Sequence, residues 1–184
     1  IFNEQHKSQR ITTLQVNEAF KRVKANKGSS GLDGITTEQV AANPRKYLYP
    51  LWNRMASGSY YPKPVRQVLI PKGGGKMRPL GIPTIVDRVA QQVIATELEA
   101  VVDKHFHPSS YGYRPNKSAH EAIEQCRNNC IKYSWVIDLD IKGFFDNIDH
   151  ELLLKAVKYY TQEKHILMYV ERWLKTPVQI ADGT

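Results

Sequence analysis

The chain has 184 residues, of which 41% are hydrophobic and 24% charged, globular values that exclude a disordered chain. Lys and Arg number 26 against 18 Asp and Glu, a net charge of +8. The excess is uneven: 15 basic against 5 acidic residues up to Arg88, then 11 against 13, so the first half points to a polyanion such as a nucleic acid.

Two cysteines are too few for a disulfide framework. No uncharged apolar run reaches the roughly 20 residues of a membrane span, so no membrane partner is expected. The polar opening Ile1 to Arg10 is no signal peptide, and the expected location is the cytoplasm. Ile1 is not a start Met and Asp182-Gly183-Thr184 looks like mid-element, which reads as a piece cut from a longer protein.

Leu14 to Ala25 places Leu14, Val16, Ala19, Phe20 and Val23 at helical spacing. A breaker-rich loop, Asn26 to Thr36, follows. Asn43-Pro44 opens a helix with Tyr47, Leu48, Leu51, Trp52 and Met55 on one face, ending at Gly58. Pro64 to Ile70 and Met77 to Ile82, joined through Pro71-Lys72-Gly73-Gly74-Gly75-Lys76, predict a hairpin.

Thr84 with Asp87 caps a helix whose apolar stripe runs from Val86 through Val89, Val93 and Leu98 to Val102. Ser118 with Glu121 repeats that capping pattern. Behind it, Ala122, Ile123, Cys126 and Cys130 share a face, and the cysteines read as small core hydrophobes. Trp135 to Ile141 predicts a strand, with Val136, Asp138 and Asp140 on one face. Asp149 and Thr161 are expected to cap two helices, and Val178 to Ile180 starts an extended piece. Helices and strands alternate irregularly, an α+β pattern.

Four aspartates fall within twelve residues: Asp138, Asp140, Asp146 and Asp149. Asp149 reads as a helix cap and Asp146 as a turn residue. Asp138 and Asp140 differ, because Asp disfavours strand interiors and like charges on one face repel unless a cation separates them. Carboxylate oxygens suit Mg²⁺, which keeps open positions for phosphate.

The sequence resembles the reverse transcriptase domain of bacterial group II intron-encoded proteins, or maturases. The pieces, in the family's order, are Asn26 to Gly34, Gly58 to Arg66, Ile70 to Pro83, Asp87 to Gln92, Ser110 to Pro115 and Asp140 to Asp146. The resemblance implies a right-hand polymerase fold with fingers and a partial palm. Residues 1–184 would be a truncated reverse transcriptase domain, with 1–90 and 152–184 mainly fingers and 91–151 mainly palm.

The resemblance also implies roles. Asp140 would be the catalytic aspartate binding two Mg²⁺ ions, assisted by the carbonyl of Ile141. Phe145 would lie beneath the incoming sugar and exclude a ribose 2′-hydroxyl; the alternative is a core residue. Lys72 and Arg78 would contact the nucleotide triphosphate, with a solvated turn as the alternative for Lys72. Lys63, Arg66, Lys76, Arg88 and Arg114 would bind RNA.

The implied partners are RNA template and intron RNA, a DNA primer and deoxynucleotides. Dimers of the fragment would follow from apolar palm faces left exposed. The family's Pro-Gln-Gly segment and its Tyr-x-Asp-Asp turn do not occur in the chain, so the fragment by itself is expected to be inactive. Two other readings are an RNA-binding splicing cofactor and a CRISPR-associated or diversity-generating reverse transcriptase.

Overall fold

The computed structural model describes residues 9–180. The opening Ile1 to Ser8 and the closing Asp182-Gly183-Thr184 lie outside the described residues. The elements are α1 (Thr13–Ala25), α2 (Thr37–Ala42), α3 (Pro44–Ala56), β1 (Val65–Lys72), β2 (Lys76–Ile82), α4 (Ile85–Val102), α5 (Ala119–Lys132), α6 (His150–Tyr160), α7 (Lys164–Leu174) and β3 (Val178–Gln179). A turn of 3₁₀ helix, Asp103–His105, follows α4. Helix and sheet are mixed, consistent with α+β. Two compact units emerge: residues 9–96 with 163–180, and residues 97–162.

In the first unit, local chemistry sets the helix starts. Thr12 and Gln15 form a reciprocal capping box on α1, as Thr36 and Gln39 do on α2. No element was expected over the six residues of α2. Asn43 caps α3, and Pro44 occupies its first turn, where a missing N–H costs nothing.

The apolar stripes of α1, α3, α4 and α7 make the core. Val16, Ala19, Phe20 and Val23 are buried as expected, whereas Leu14, at the edge of that stripe, is exposed. Leu48, Leu51, Trp52 and Met55 bury from α3, Val89, Val93 and Ile94 from α4, and Ile166 and Tyr169 from α7. Two buried polar atoms of this core are satisfied: Trp52 Nε1 donates to the Ile11 carbonyl at 3.0 Å, and Tyr169 Oη to the Met55 carbonyl at 2.6 Å.

β1 and β2 form the expected antiparallel hairpin, and β3 adds in parallel to β1 through Val65–Val178 and Arg66–Gln179, giving the order β2-β1-β3. Lys72 and Lys76 close a three-residue turn in which Gly74 and Gly75 hold φ of 79° and 74°, a region that side chains resist.

The second unit departs further from expectation. Ser118–Glu121 caps α5 and Asp149 caps α6 as read from sequence. No residue of α5 is buried, however, and Cys126 and Cys130 are exposed rather than core. At the α4 end, Leu98, Val101 and Val102 are half-buried. Trp135 to Ile141 forms neither strand nor helix, because no described segment pairs with its backbone. A ladder needs a second chain segment, which side-chain alternation cannot supply. Thr161 closes α6 instead of opening α7, whose N-cap is Glu163.

Candidate nucleotide and nucleic-acid interface

The hairpin register decides where the cations of the first unit lie. Residues directly opposite in an antiparallel pair point to the same face, and alternate residues follow them. Ile70 opposes Arg78 and Lys72 opposes Lys76, so Lys72, Lys76 and Arg78 share one face around the glycine turn. All three are exposed. Arg66, opposite Ile82, lies on that same face at the other end of β1.

Arg66 meets Arg88. Arg66 Nε is buried without a hydrogen-bond partner among the described residues. Arg88, near the start of α4, donates from Nε to the Pro83 carbonyl at 3.1 Å and from Nη2 to the Ser29 carbonyl. Burial, and then the positive charge of Arg66, lower the basicity of Arg88. An orphan donor beside two like charges lacks an anion. A cavity of about 240 Å³ between Gly28-Ser29 and Leu80 to Pro83 opens at Arg88.

The loop after α1 is held against the start of α4. A Cβ on Gly31 would lie 2.6 Å from both the nitrogen and the Cα of Thr84, so only glycine permits this approach. Lys63 belongs to the same unit: its Nζ is 3.2 Å from Asp33 Oδ2, and its backbone N–H donates to Asp87.

Asp87 is a hub rather than only a cap. Its carboxylate, on a residue 3% exposed, accepts from Tyr60 Oη at 2.7 Å, Thr84 Oγ1 at 2.7 Å and the Lys63 N–H at 3.3 Å. Burial and the Asp87 charge push the Tyr60 phenol well above the ordinary tyrosine range. Trp173 Nε1 donates to the same phenol at 3.4 Å. Arg172 donates to the carbonyls of Gly58 and Tyr60 and lies 3.9 Å from the centre of the Tyr61 ring. These long-range partners leave no local sequence signal, although the Thr84–Asp87 spacing does.

In the second unit, Asp138 and Asp140 lie on the irregular segment, and Ile141 precedes the turn at Lys142 to Asp146. Phe145 is 83% exposed among the described residues, its ring 5.3 Å from that of Phe144. Asn147 Nδ2 donates to the Gly143 carbonyl, fixing the turn. Asp149 accepts from Glu151 and Leu152 N–H, the cap predicted for it.

Arg114 is a clamp: Nε bonds Asp103 at 2.7 Å, Nη1 the carbonyls of His107 and Ser110, and Nη2 the carbonyl of Asp103. Four of its five N–H donors are thereby engaged, which leaves little for the RNA contact expected of it. The hydrogen bond from Arg114 holds the Asp103 carboxyl below the usual carboxylate range.

Residues 70–184, more than half of the chain, match the family model for reverse transcriptase (RNA-dependent DNA polymerase). The chain belongs to the reverse transcriptase family. It is 34% identical over 165 residues to protein YkfC of Escherichia coli, covering 86% of this chain and 43% of that protein. It is 32% identical over 158 residues to the group II intron-encoded protein LtrA of Lactococcus lactis, covering 85% of this chain and 26% of LtrA. Nuclear intron maturase 1 of Arabidopsis thaliana is 27% identical over 93 residues, half of this chain and 13% of that relative. The chain thus spans less than half the length of these relatives. Among its described residues no helix is long and apolar enough to cross a membrane.

Proposed function

We propose that this chain is the nucleotide- and template-gripping part of an RNA-directed DNA polymerase of the group II intron type. One observation carries the reading: the β1–β2 register gathers Lys72, Lys76 and Arg78 on one face of a glycine-tipped hairpin. Three exposed cations on a ribbon are suited to a triphosphate, which Lys meets as a point charge and Arg with a planar fork. Lys72 and Arg78 take the incoming deoxynucleotide. Arg66, Arg88 and Lys63 take the backbone of the RNA template or intron RNA, while Arg114 shapes its own unit.

Asp140 is the catalytic aspartate in this reading, and Phe145 the sugar gate. The fingers and palm of a right-hand polymerase, at 1–90 with 152–184 and at 91–151, belong to the same proposal. So do a DNA primer, self-association of the fragment and a cytoplasmic, nucleic-acid-bound location.

Reverse transcriptases generally use a divalent metal. Asp140 would offer a carboxylate and Ile141 a carbonyl to Mg²⁺, which supplies charge neutralisation for phosphoryl transfer when bound. Among the described residues no group of three or more His, Cys, Asp or Glu could hold a metal ion. By themselves these residues do not form a metal cage, and this chain alone is proposed to extend no primer.

The test has two arms. In the full-length polymerase, Lys72→Ala and Arg78→Ala are expected to raise KM for deoxynucleotides, and Asp140→Asn to abolish primer extension. For this chain, RNA affinity is measured against salt. Each phosphate neutralised contributes a slope of roughly −0.7 on logarithmic axes for single strands. Arg66→Ala/Arg88→Ala is expected to flatten the slope by about 1.4. A flat plot for the unsubstituted chain would remove the RNA-gripping reading.

A further inference from the structure

A second cavity in the first unit, about 170 Å³, lies between the start of α4, one face of α3 and the connection before β1. Lys46, Tyr47, Pro50 and Arg54 reach it from α3, and Tyr61 and Lys63 from the connection. None of the roles considered so far uses Lys46, Arg54, Tyr47 or Tyr61. We propose that this cavity binds one unpaired nucleotide of a single-stranded RNA, its base against Tyr61 and its phosphate between Lys46 and Arg54. The proposal rests on the RNA-binding reading and extends it to a second contact.

Four observations support it. First, the cavity is smaller than the roughly 300–1,000 Å³ of drug-sized pockets, so it suits one planar ring and not a larger ligand. Second, the cations are available. Arg54 has no side-chain partner among the described residues, and Lys46 has no carboxylate partner there, only the Tyr47 ring 5.3 Å away.

Third, the two carboxylates that line the cavity are occupied. Asp33 pairs with Lys63 and accepts the Ile35 N–H, and Asp87 has its three donors. Against their two negative charges stand Lys46, Arg54 and Lys63, so a phosphate meets a net charge of +1 from the cavity lining.

Fourth, Tyr61 is 68% exposed although Arg172 already lies against its ring. A large ring held by a guanidinium, with most of its surface open, is a stacking platform, and base stacking tolerates any sequence. Pro50 sits inside α3 and has no N–H to offer the Lys46 carbonyl four residues back.

The occupant is single-stranded, because a duplex keeps its bases stacked on one another and offers no free face to a tyrosine. An acidic peptide would satisfy the cations but would gain nothing specific from the ring.

The experiment uses this chain and fluorescein-labelled octauridylate RNA, with an eight-residue abasic ribose-phosphate strand as comparison, read by anisotropy over a salt series. Tyr61→Ala is expected to weaken octauridylate binding about tenfold, and Tyr61→Phe to restore it. The abasic strand is expected to bind about tenfold more weakly than octauridylate and to ignore Tyr61→Ala. Lys46→Ala/Arg54→Ala is expected to flatten the salt slope by about 1.4. Circular dichroism verifies that each variant is folded.

Equal binding of the two strands, or wild-type affinity in folded Tyr61→Ala, overturns the inference. So does an unchanged salt slope in Lys46→Ala/Arg54→Ala. If Arg66→Ala/Arg88→Ala still loses affinity in those cases, the broader RNA-binding reading survives. If the unsubstituted chain binds no RNA, both readings fall together.

Discussion

Tyr60→Phe removes one hydroxyl and tests whether the Asp87 hub holds the nucleic-acid face in place. The hydroxyl donates at 2.7 Å to a carboxylate that is nearly inaccessible to water. A hydrogen bond to a charged group contributes roughly 1.5–3 kcal/mol, and its loss leaves part of a buried charge unsolvated. The substitution also deprives Trp173 Nε1 of its acceptor. For a chain of this length, each kcal/mol shifts Tm by about 2–4 °C, so the expected loss is about 3–12 °C.

The ring itself is kept, with its edge-to-face contact to Tyr169 at 5.7 Å, so packing changes little. Thermal unfolding followed by circular dichroism gives the shift. The same substitution in an Asp87→Asn background isolates the pair, and there it is expected to cost much less. A loss under about 1 °C, or equal losses in both backgrounds, would show that the carboxylate does not depend on Tyr60.

The other expectations concern pH, the anchored loop and the proposed sugar gate. An unfolded tyrosine ionises near pH 10.0, whereas folded Tyr60 holds its proton to higher pH. Its contribution is therefore complete below pH 10 and is lost as pH rises above it. Unfolding titrations should steepen there by up to about 1.4 kcal/mol per pH unit, and Tyr60→Phe should remove that increment. Tyr169, pushed up to about 12 by burial, adds a similar loss between pH 10 and 12.

Gly31→Ala drives a methyl into the Thr84 backbone and should cost about 1–3 kcal/mol in urea unfolding. A neutral result would mean the loop relaxes freely. In the full-length polymerase, Phe145→Val should raise ribonucleotide relative to deoxynucleotide kcat/KM about tenfold, equivalent to about 1.4 kcal/mol. A melting curve controls for folding, and an unchanged selectivity ratio in a folded variant would count against a sugar gate.

Much of the first unit was legible from local signals. The helix starts at Asn43 and Thr84 follow from side chains that reach their own backbone three residues away, as those at Ser118 and Asp149 do in the second unit. The hairpin follows from two extended runs and three glycines, and its register then determines which cations share a face. The family pieces from Asn26 to Asp146 were likewise readable in order.

The sequence did not show which residues meet across the fold. Asp87 reads as one half of a cap, yet Tyr60, 27 positions earlier, and Trp173, far beyond it, complete its network. Arg66 and Arg88 look like two more surface cations until the sheet edge and the start of α4 bring them close enough to repel. Cys126, Cys130 and the run Trp135 to Ile141 carry core-like patterns, yet they stay exposed because burial and strand pairing both require a partner surface. Periodicity records which faces of an element are apolar, and only tertiary contact decides whether anything covers them.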